Sequence, residues 1–533
     1  MPSSIKQVIL DSTFLLGICT LGITACHTNT ERISGKPYQK APFALNEVAF
    51  IPLPEEIKND SGSFVLSDNT ILKAYGHEDF KNIGQYLINE IESKRKLRLN
   101  RKTGTGAAIS NTIELRLSET GLFKSPEAYQ LKLTKDHIQI TASTPQGIFW
   151  GVQTLLQIIP EPEGKEHKSK TILLPLGIIN DTPVFEWRGA MLDVARHFFT
   201  VEEVKQYIRM LAVYKLNRLH LHLTDDQGWR IMIDAYPKLA EEGGRSQVGG
   251  GKGGYYTKEE YKELAAFAAA HYMTLIPEID MPGHTNAASL AYPFLNGTEE
   301  EISPYTGTKV GFSTFATQKD TVYGFINKVI AELAEITPGP YLHIGGDESH
   351  VTAKEDYLYF VQRVEKIVKK HGKQMIGWDE IAQVANDTTT IAQFWNGESN
   401  AAIAARKGMK VILSPGKKAY LDMKYNTNSQ YGLTWAGYIP VDTAYIWYPK
   451  TYTGIPLKKI LGIEAPLWSE TISNIDELEY LAFPRIIGYA ELGWTKAKLR
   501  NWNNYRSRLA KHARFLNRKK VNFYRSPLIN WKD

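Results

Sequence analysis

The chain has only two cysteines among its 533 residues, Cys19 and Cys26, both near the N-terminus. A disulfide scaffold and a cysteine-rich metal site are therefore unavailable, and the fold must stand on its hydrophobic core. Charge of one sign is barely in excess, since 63 basic and 57 acidic residues leave a net +6. Spread over this length, that imbalance is too dilute for electrostatic nucleic-acid binding. The basic runs Lys94–Lys96 and Arg518–Lys520 are short and read as solvated faces. No solenoid-type repeat is present. What the chain does have is an ordinary globular balance, 43% hydrophobic and 23% charged, which excludes a disordered or collagen-like protein. Its length calls for two or three domains.

At the N-terminus, Lys6 precedes an apolar stretch from Phe14 to Ala25 that ends at Cys26. This is the order of a secretory signal, and the stretch is too short for a membrane span. Ile23-Thr24-Ala25-Cys26 resembles a bacterial lipobox, in which the cysteine is acylated and becomes the mature N-terminus; Cys19 fits less well because bulky Ile18 precedes it. The competing readings are a plain secretory signal or a buried N-terminal helix, and Asp11, just before the apolar stretch, weakens the signal reading. The expectation is a signal over 1–26 and an exported protein, held by Cys26 in the periplasm or at the outer membrane or cell surface. The mature body then lacks any other cysteine, which suits an oxidising compartment.

Residues 40–180 mix strand-like runs, Asn111–Leu117 and Tyr129–Ile140, with helical patterns at His77–Lys96 and Thr144–Ile158, predicting a small α+β domain. The polar stretch Glu161–Lys170 breaks the pattern, and from about Pro183 short apolar runs alternate with helices through residue 533. The runs are Gly189–Asp193, Asn217–Leu223, Met273–Ile279, Tyr341–Ile344, Gln374–Trp378, Thr390–Trp395, Lys410–Leu413 and Gly462–Trp468. Strands buried on both faces read as continuous apolar runs, and eight of them with intervening helices predict a (β/α)₈ barrel, an α/β fold.

Barrel active sites lie at the C-terminal ends of the strands. Those ends carry Asp225 and Asp226, Asp280 and His284, Asp347 and Glu348, Trp378, Trp395, then Trp468 and Glu470, with Tyr420 and Asp422 following the seventh strand and Arg188 at the start of the first. Acids and tryptophans converging on one mouth suggest a sugar site, because indole faces stack on C–H faces and carboxylates bind hydroxyls. Two motifs point elsewhere. His220 and His222 form a His-x-His like the metal pair of barrel amidohydrolases, but such sites need further His or Lys ligands where the later strand ends offer acids and tryptophans. The Gly-rich stretch Gly243–Gly254 departs from a P-loop at Ser246 and Gly253 and reads as a loop near the mouth. No metal or other cofactor is expected.

Several segments resemble the bacterial and lysosomal β-N-acetylhexosaminidases of glycoside hydrolase family 20. They are Arg188-Gly189-Ala190-Met191-Leu192-Asp193, the run from His220 to Arg230, Pro277-Glu278-Ile279-Asp280-Met281-Pro282-Gly283-His284 and His343-Ile344-Gly345-Gly346-Asp347-Glu348, followed by Gly377-Trp378, Tyr420-Leu421-Asp422, Trp435-Ala436-Gly437-Tyr438 and Trp468-Ser469-Glu470. Most glycoside hydrolases flank the bond with two carboxylates about 5 to 9.5 Å apart. Neighbours on an extended segment point different ways, so adjacent Asp347 and Glu348 need different jobs.

The resemblance implies substrate assistance, in which the sugar's own 2-acetamido oxygen attacks the anomeric carbon. On that basis Glu348 is the general acid and later base, Asp347 holds the acetamido N–H, and Tyr420 bonds the acetamido oxygen. Asp225 and His284 form a relay to Glu348. Trp378, Trp395 and Trp468 wall the pocket, Trp435 lines it, and Arg188, Asp422 and Glu470 bind hydroxyls. The implied activity is exo-acting, retaining release of terminal β-linked GlcNAc or GalNAc. Its rivals are a non-catalytic carbohydrate-binding barrel, which should lose the acid, and a metal-dependent amidohydrolase.

Overall fold

The computed structural model describes residues 41–533 except 75, 103–109, 119, 120, 122 and 163–169. The signal and lipobox expected over 1–26 lie outside the described residues. Among the described residues no helix is long and apolar enough to cross a membrane.

The first domain is built on β1 (Glu56–Ser67), β2 (Ile71–Ala74), β3 (Asn100–Lys102), β4 (Thr112–Leu117), β5 (Tyr129–Leu133), β6 (His137–Ala142) and β7 (Thr171–Asp181). They form one mixed sheet in the order β1-β7-β5-β6-β4-β2-β3. The run Tyr129–Ile140 is thus not one strand but an antiparallel hairpin, Tyr129 pairing with Ala142 and Leu133 with Ile138. Its turn contains Lys135 and Asp136, and Thr134 closes it through bonds to His137. Helix α1 (Phe80–Arg95) buries Phe80, Ile83, Leu87 and Ile91, the three- and four-residue spacing of one helix face. Helix α2 (Pro145–Ile158) starts where Thr144 Oγ1 accepts from Gly147 N–H at 3.2 Å, with Pro145 in the first turn. It lies very close on the sheet, since a Cβ at Gly151 would fall 2.4 Å from Ile140.

The second domain is a closed barrel of parallel strands: β8 (Trp187–Asp193), β9 (Arg218–His222), β12 (Thr274–Glu278), β13 (Tyr341–His343), β14 (Gln374–Trp378), β15 (Ile391–Phe394), β16 (Lys410–Leu413) and β17 (Ile460–Leu467). A two-residue hairpin of β10 (Thr224–Asp225) and β11 (Gly228–Trp229) follows β9. The eight strands fall where the eight apolar runs place them, because each is buried on both faces and each must end before its helix begins. The ring closes through β17 and β8, with Glu464 opposite Gly189. Gly189 leaves room for the Glu464 carboxyl, which a Cβ would meet at 2.4 Å.

Buried charge joins the two domains at the start of the barrel strands. Glu127 receives the Arg188 guanidinium and the Trp150 indole N–H, the latter at 2.9 Å. Asp181 accepts from Tyr129 O–H at 2.6 Å, Lys215 Nζ at 3.0 Å and Trp494 Nε1 at 2.9 Å. Arg188 also lies over the Trp494 ring at 4.9 Å.

Candidate active site

The reactive side chains gather at the C-terminal mouth of the barrel, each carried there by the segment that leaves a strand. After β13 the chain turns through Gly345 and Gly346 at φ +68° and +95°, and Glu348 itself is left-handed at φ +46°. This turn sets Asp347 inward and buried while Glu348 stays partly exposed. After β12 the chain turns again at His284, φ +55°. His284 Nδ1 lies 3.1 Å from Asp225 Oδ1, and its Nε2 is 3.8 Å from both Asp347 Oδ2 and Glu348 Oε2. The expected Asp225–His284 pairing is therefore present, and the imidazole faces both acids rather than Glu348 alone.

Electrostatics separates these acids. Burial alone would raise Asp225, but Arg196, His284 and His222 outweigh it and hold the carboxyl well below its usual range. Burial pushes Asp347 up to about 6; His284 opposes the rise, and Glu348 and Glu278 add to it. Burial would lower His284, but Asp225 and Asp280 raise it well above an ordinary imidazole. Beneath them, Glu278 takes contacts from His222 Nδ1 at 2.6 Å, His343 Nδ1 at 2.9 Å and Trp378 Nε1 at 3.0 Å. Glu464 accepts from Trp187 Nε1 and Gln393 Nε2, each at 2.9 Å, and meets His220 Nδ1 at 2.9 Å. The His-x-His pair is thus ringed by carboxylates inside the barrel; with Glu278 and His343, His220 makes a set whose ligand atoms lie within 4.8 Å of one another.

The aromatic wall is continuous. Trp378 is fully buried and sits 5.8 Å from Trp468; Trp468 is 6.3 Å from Tyr420, and Tyr420 lies 6.4 Å from Trp395 with rings 20° apart. Trp435 stands edge-on to Tyr420 at 5.5 Å and is 54% exposed, marking the outer rim. Asp379 fixes the Trp395 segment by accepting from the N–H groups of Trp395, Asn396 and Gly397. Glu380 accepts from the Trp395 indole at 3.1 Å. At the far side of the mouth, both carboxyl oxygens of Asp422 and one of Glu470 are buried with no hydrogen-bond partner among the described residues. Burial first, and then Glu470, raise Asp422 well above the usual carboxylate range.

Arg188 does not belong to this site. It is the second residue of β8, 0% exposed, at the opposite end of the barrel, where it is bound to Glu127 and donates to the carbonyl oxygens of Lys215 and Phe185. The arginine at the mouth is Arg196, three residues past the end of the same strand. Its NH2 is 2.8 Å from Asp225 Oδ2, its guanidinium lies 4.8 Å over the Trp468 ring, and the Glu470 charge helps hold it protonated. The strand-end rule that found the other residues could have found it. Glu278, Glu464 and Glu380 escape a reading of sequence, because their partners are far away along the chain; Asp280, placed by sequence at a strand end, is given no part in the site there for the same reason.

Residues 185–497 match the catalytic domain of glycosyl hydrolase family 20, and residues 47–182 match domain 2 of that family. The chain belongs to glycosyl hydrolase family 20. Among its family-20 relatives, a β-N-acetylhexosaminidase of Cellulomonas fimi is 37% identical over 492 residues, 91% of this chain and 98% of that one. A β-hexosaminidase of Porphyromonas gingivalis is 33% identical over 92% of this chain but only 65% of its own greater length. The structure of Streptomyces plicatus N-acetyl-β-hexosaminidase in complex with thio-NAglucal matches with a TM-score of 0.86 and 43% identity, covering 93% of this chain and 99% of that one.

Proposed function

We infer that this family-20 chain is an exo-acting, retaining β-N-acetylhexosaminidase that removes terminal β-linked GlcNAc or GalNAc by substrate-assisted catalysis. The observation that carries the reading is the divergence of Asp347 and Glu348 at one turn, one acid buried against His284 and the other partly open to the mouth. Glu348 protonates the leaving oxygen and later takes a proton from water. Asp347, ionised, accepts the acetamido N–H and offsets the positive charge that grows on that nitrogen as the acetamido oxygen bonds to the anomeric carbon. Tyr420 donates to the acetamido oxygen, and Trp378, Trp395 and Trp468 confine the group in an attacking position. Asp422 and Glu470 have free oxygens for sugar hydroxyls, and Arg196 supplies the donor there. Trp435 lines the rim.

The decisive experiment compares aryl β-glycosides that differ only at C2. The N-acetylglucosaminide should be cleaved and the glucoside, which has no internal nucleophile, left intact. A glycosyl group trapped covalently on Asp347, or efficient glucoside hydrolysis at this site, would overturn the mechanism. Paired GlcNAc and GalNAc substrates then set the sugar preference.

Export and anchoring through acylated Cys26 form the second part of the proposal, supported by the order of Lys6, the apolar stretch and Ile23-Thr24-Ala25-Cys26. Wild-type protein should partition with membranes and Cys26→Ala should not. Wild type recovered wholly as soluble, unlipidated protein would sink it.

A further inference from the structure

Asp280 leaves β12 two residues after Glu278 and is 2% exposed. Its Oδ1 accepts the Gly346 N–H at 3.2 Å, and its own N–H donates to Thr224 Oγ1 at 3.0 Å. Among the described residues its Oδ2 is buried with no partner, and so is Asp347 Oδ1. A carboxyl oxygen of Asp280, one of Asp347 and a ring nitrogen of His284 lie within 4.8 Å of one another. The turn that presents Asp347 is pressed against this carboxyl: a Cβ at Gly345 would fall 1.7 Å from Asp280 Oδ1.

The charges around Asp280 are Asp347 from the β13 turn, Glu278 from its own strand, His222 and Asp225 from the β9 side and His284 from the loop beyond, whose Nε2 also faces Glu348. Tyr357 faces the turn from the helix Lys354–Lys370, donating to the Gly346 carbonyl at 2.7 Å. The cations are already engaged. His222 lies 2.6 Å from Glu278 and 2.7 Å from Asp225, Arg196 NH2 is 2.8 Å from Asp225, and His284 Nδ1 also faces Asp225. Among the described residues one imidazole nitrogen, His284 Nε2, is left for Asp280, Asp347 and Glu348 together. A buried carboxylate with one N–H donor and no cation of its own is strongly disfavoured, and taking up a proton is how such a group is relieved.

We propose that Asp280 is a positioning residue that stays uncharged while Asp347 is ionised: the two buried carboxyls hold a single proton, carried on Asp280 Oδ2, which gives Asp347 Oδ1 a donor and fixes Asp347 as the anion of the pair. Burial, followed by the Asp347 charge, raises Asp280 well above the ordinary carboxylate range, in keeping with that order of titration. The inference rests on the reading of Asp347 as the acetamido-binding anion.

The test uses the full-length protein and the pH profile of kcat/KM. Asn copies a protonated carboxyl in shape and can still donate, so Asp280→Asn should leave the acidic limb within about 0.3 unit of wild type. Were Asp280 ionised in the working enzyme, removing its charge would drop the limb by about a unit or more, and that result overturns the proposal. Asp280→Leu offers no donor. It should raise the limb and lose at least about tenfold more in kcat than the Asn variant; equal kcat in folded Leu and Asn variants also overturns it. Infrared difference spectra provide a readout independent of catalysis and of whether the Leu variant folds. At pH 7 wild type should show a carboxylic-acid C=O band that Asp280→Asn lacks, and its absence from wild type refutes the protonated Asp280. If instead Asp347→Asn retains kcat while the band persists, the role given to Asp347 fails and the shared proton stands.

Discussion

The two ends of the barrel treat buried charge differently. At the start of the strands, Arg188 is matched to Glu127, and Lys215 to Asp181, with Tyr129 and the indoles of Trp150 and Trp494 satisfying the remaining oxygens. At the mouth, Asp422, Glu470, Asp347 and Asp280 keep buried oxygens without partners among the described residues. An orphaned buried polar atom is disfavoured by about 1–3 kcal/mol, so its presence calls for an explanation: for Asp422 and Glu470 a ligand that supplies the missing donors is one, and for Asp347 and Asp280 the shared proton is another. The lower end pairs its buried charges and so holds two domains together; the upper end leaves buried acids short of donors. Arg188 and Arg196, eight positions apart around one strand, embody that contrast.

The sharpest way to probe the mouth is Glu348→Gln. It should lower kcat by about 10² to 10⁴ for poor leaving groups such as sugar alcohols, and less for aryl groups that depart unaided. Equal losses with bond cleavage rate-limiting for both would contradict its role as acid.

Arg188→Met should instead act on the fold. Leaving Glu127 buried and uncompensated should lower stability by about 3–5 kcal/mol in denaturant melts, while kcat/KM per folded molecule stays within about twofold. Arg196→Met should do the opposite, losing at least about tenfold in kcat/KM with less damage to stability, because Asp225 keeps His222 and His284. Loss of turnover in well-folded Arg188→Met would erase the distinction between the two ends.

A third experiment asks whether the incomplete mouth is maintained at the expense of stability. Burial raises the folded-state pKa of Asp347 from 3.8 to about 6. Native protein therefore binds an extra proton between those values, and the associated stability is full below about 3.8 and lost as pH rises through about 6. At pH 7 the ionised, buried Asp347 is a burden. Asp347→Asn, which cannot ionise, should be more stable than wild type at pH 7 by on the order of 1–3 kcal/mol, with no such gain at pH 4, even as turnover collapses. Wild-type activity should fall on acidification through about pH 6 as Asp347 takes up a proton.

The smallest effect belongs to the rim. Trp435 is half exposed and contributes mainly a stacking face. Trp435→Ala should raise KM several-fold, equivalent to about 0.5–1.5 kcal/mol, with little change in kcat. A kcat loss as large as that of Glu348→Gln would move Trp435 from the rim into the reacting centre.

The barrel and most of its mouth were legible along the chain because both are written in local terms. A doubly buried parallel strand must be an unbroken apolar run, and the residues just past such a run must lie at one rim, so Asp225, His284, Asp347, Glu348, Trp378 and Trp468 could be assigned together. The hairpin inside Tyr129–Ile140 was the local pattern that misled, since alternation continues through a short turn and only pairing partners reveal the reversal. Which arginine faces the mouth was decided by the axial position of a side chain on a closed barrel. Arg188 points to the domain interface and Arg196 to the mouth, and that distinction depends on Glu127 and Trp494 from distant segments. The same holds for the shifted acids. That Asp347 and Glu348 are carboxyls is a property of the sequence. That one is buried against Asp280 and His284 while the other opens to solvent arises only when strands remote along the chain converge, because desolvation and Coulomb forces act across space.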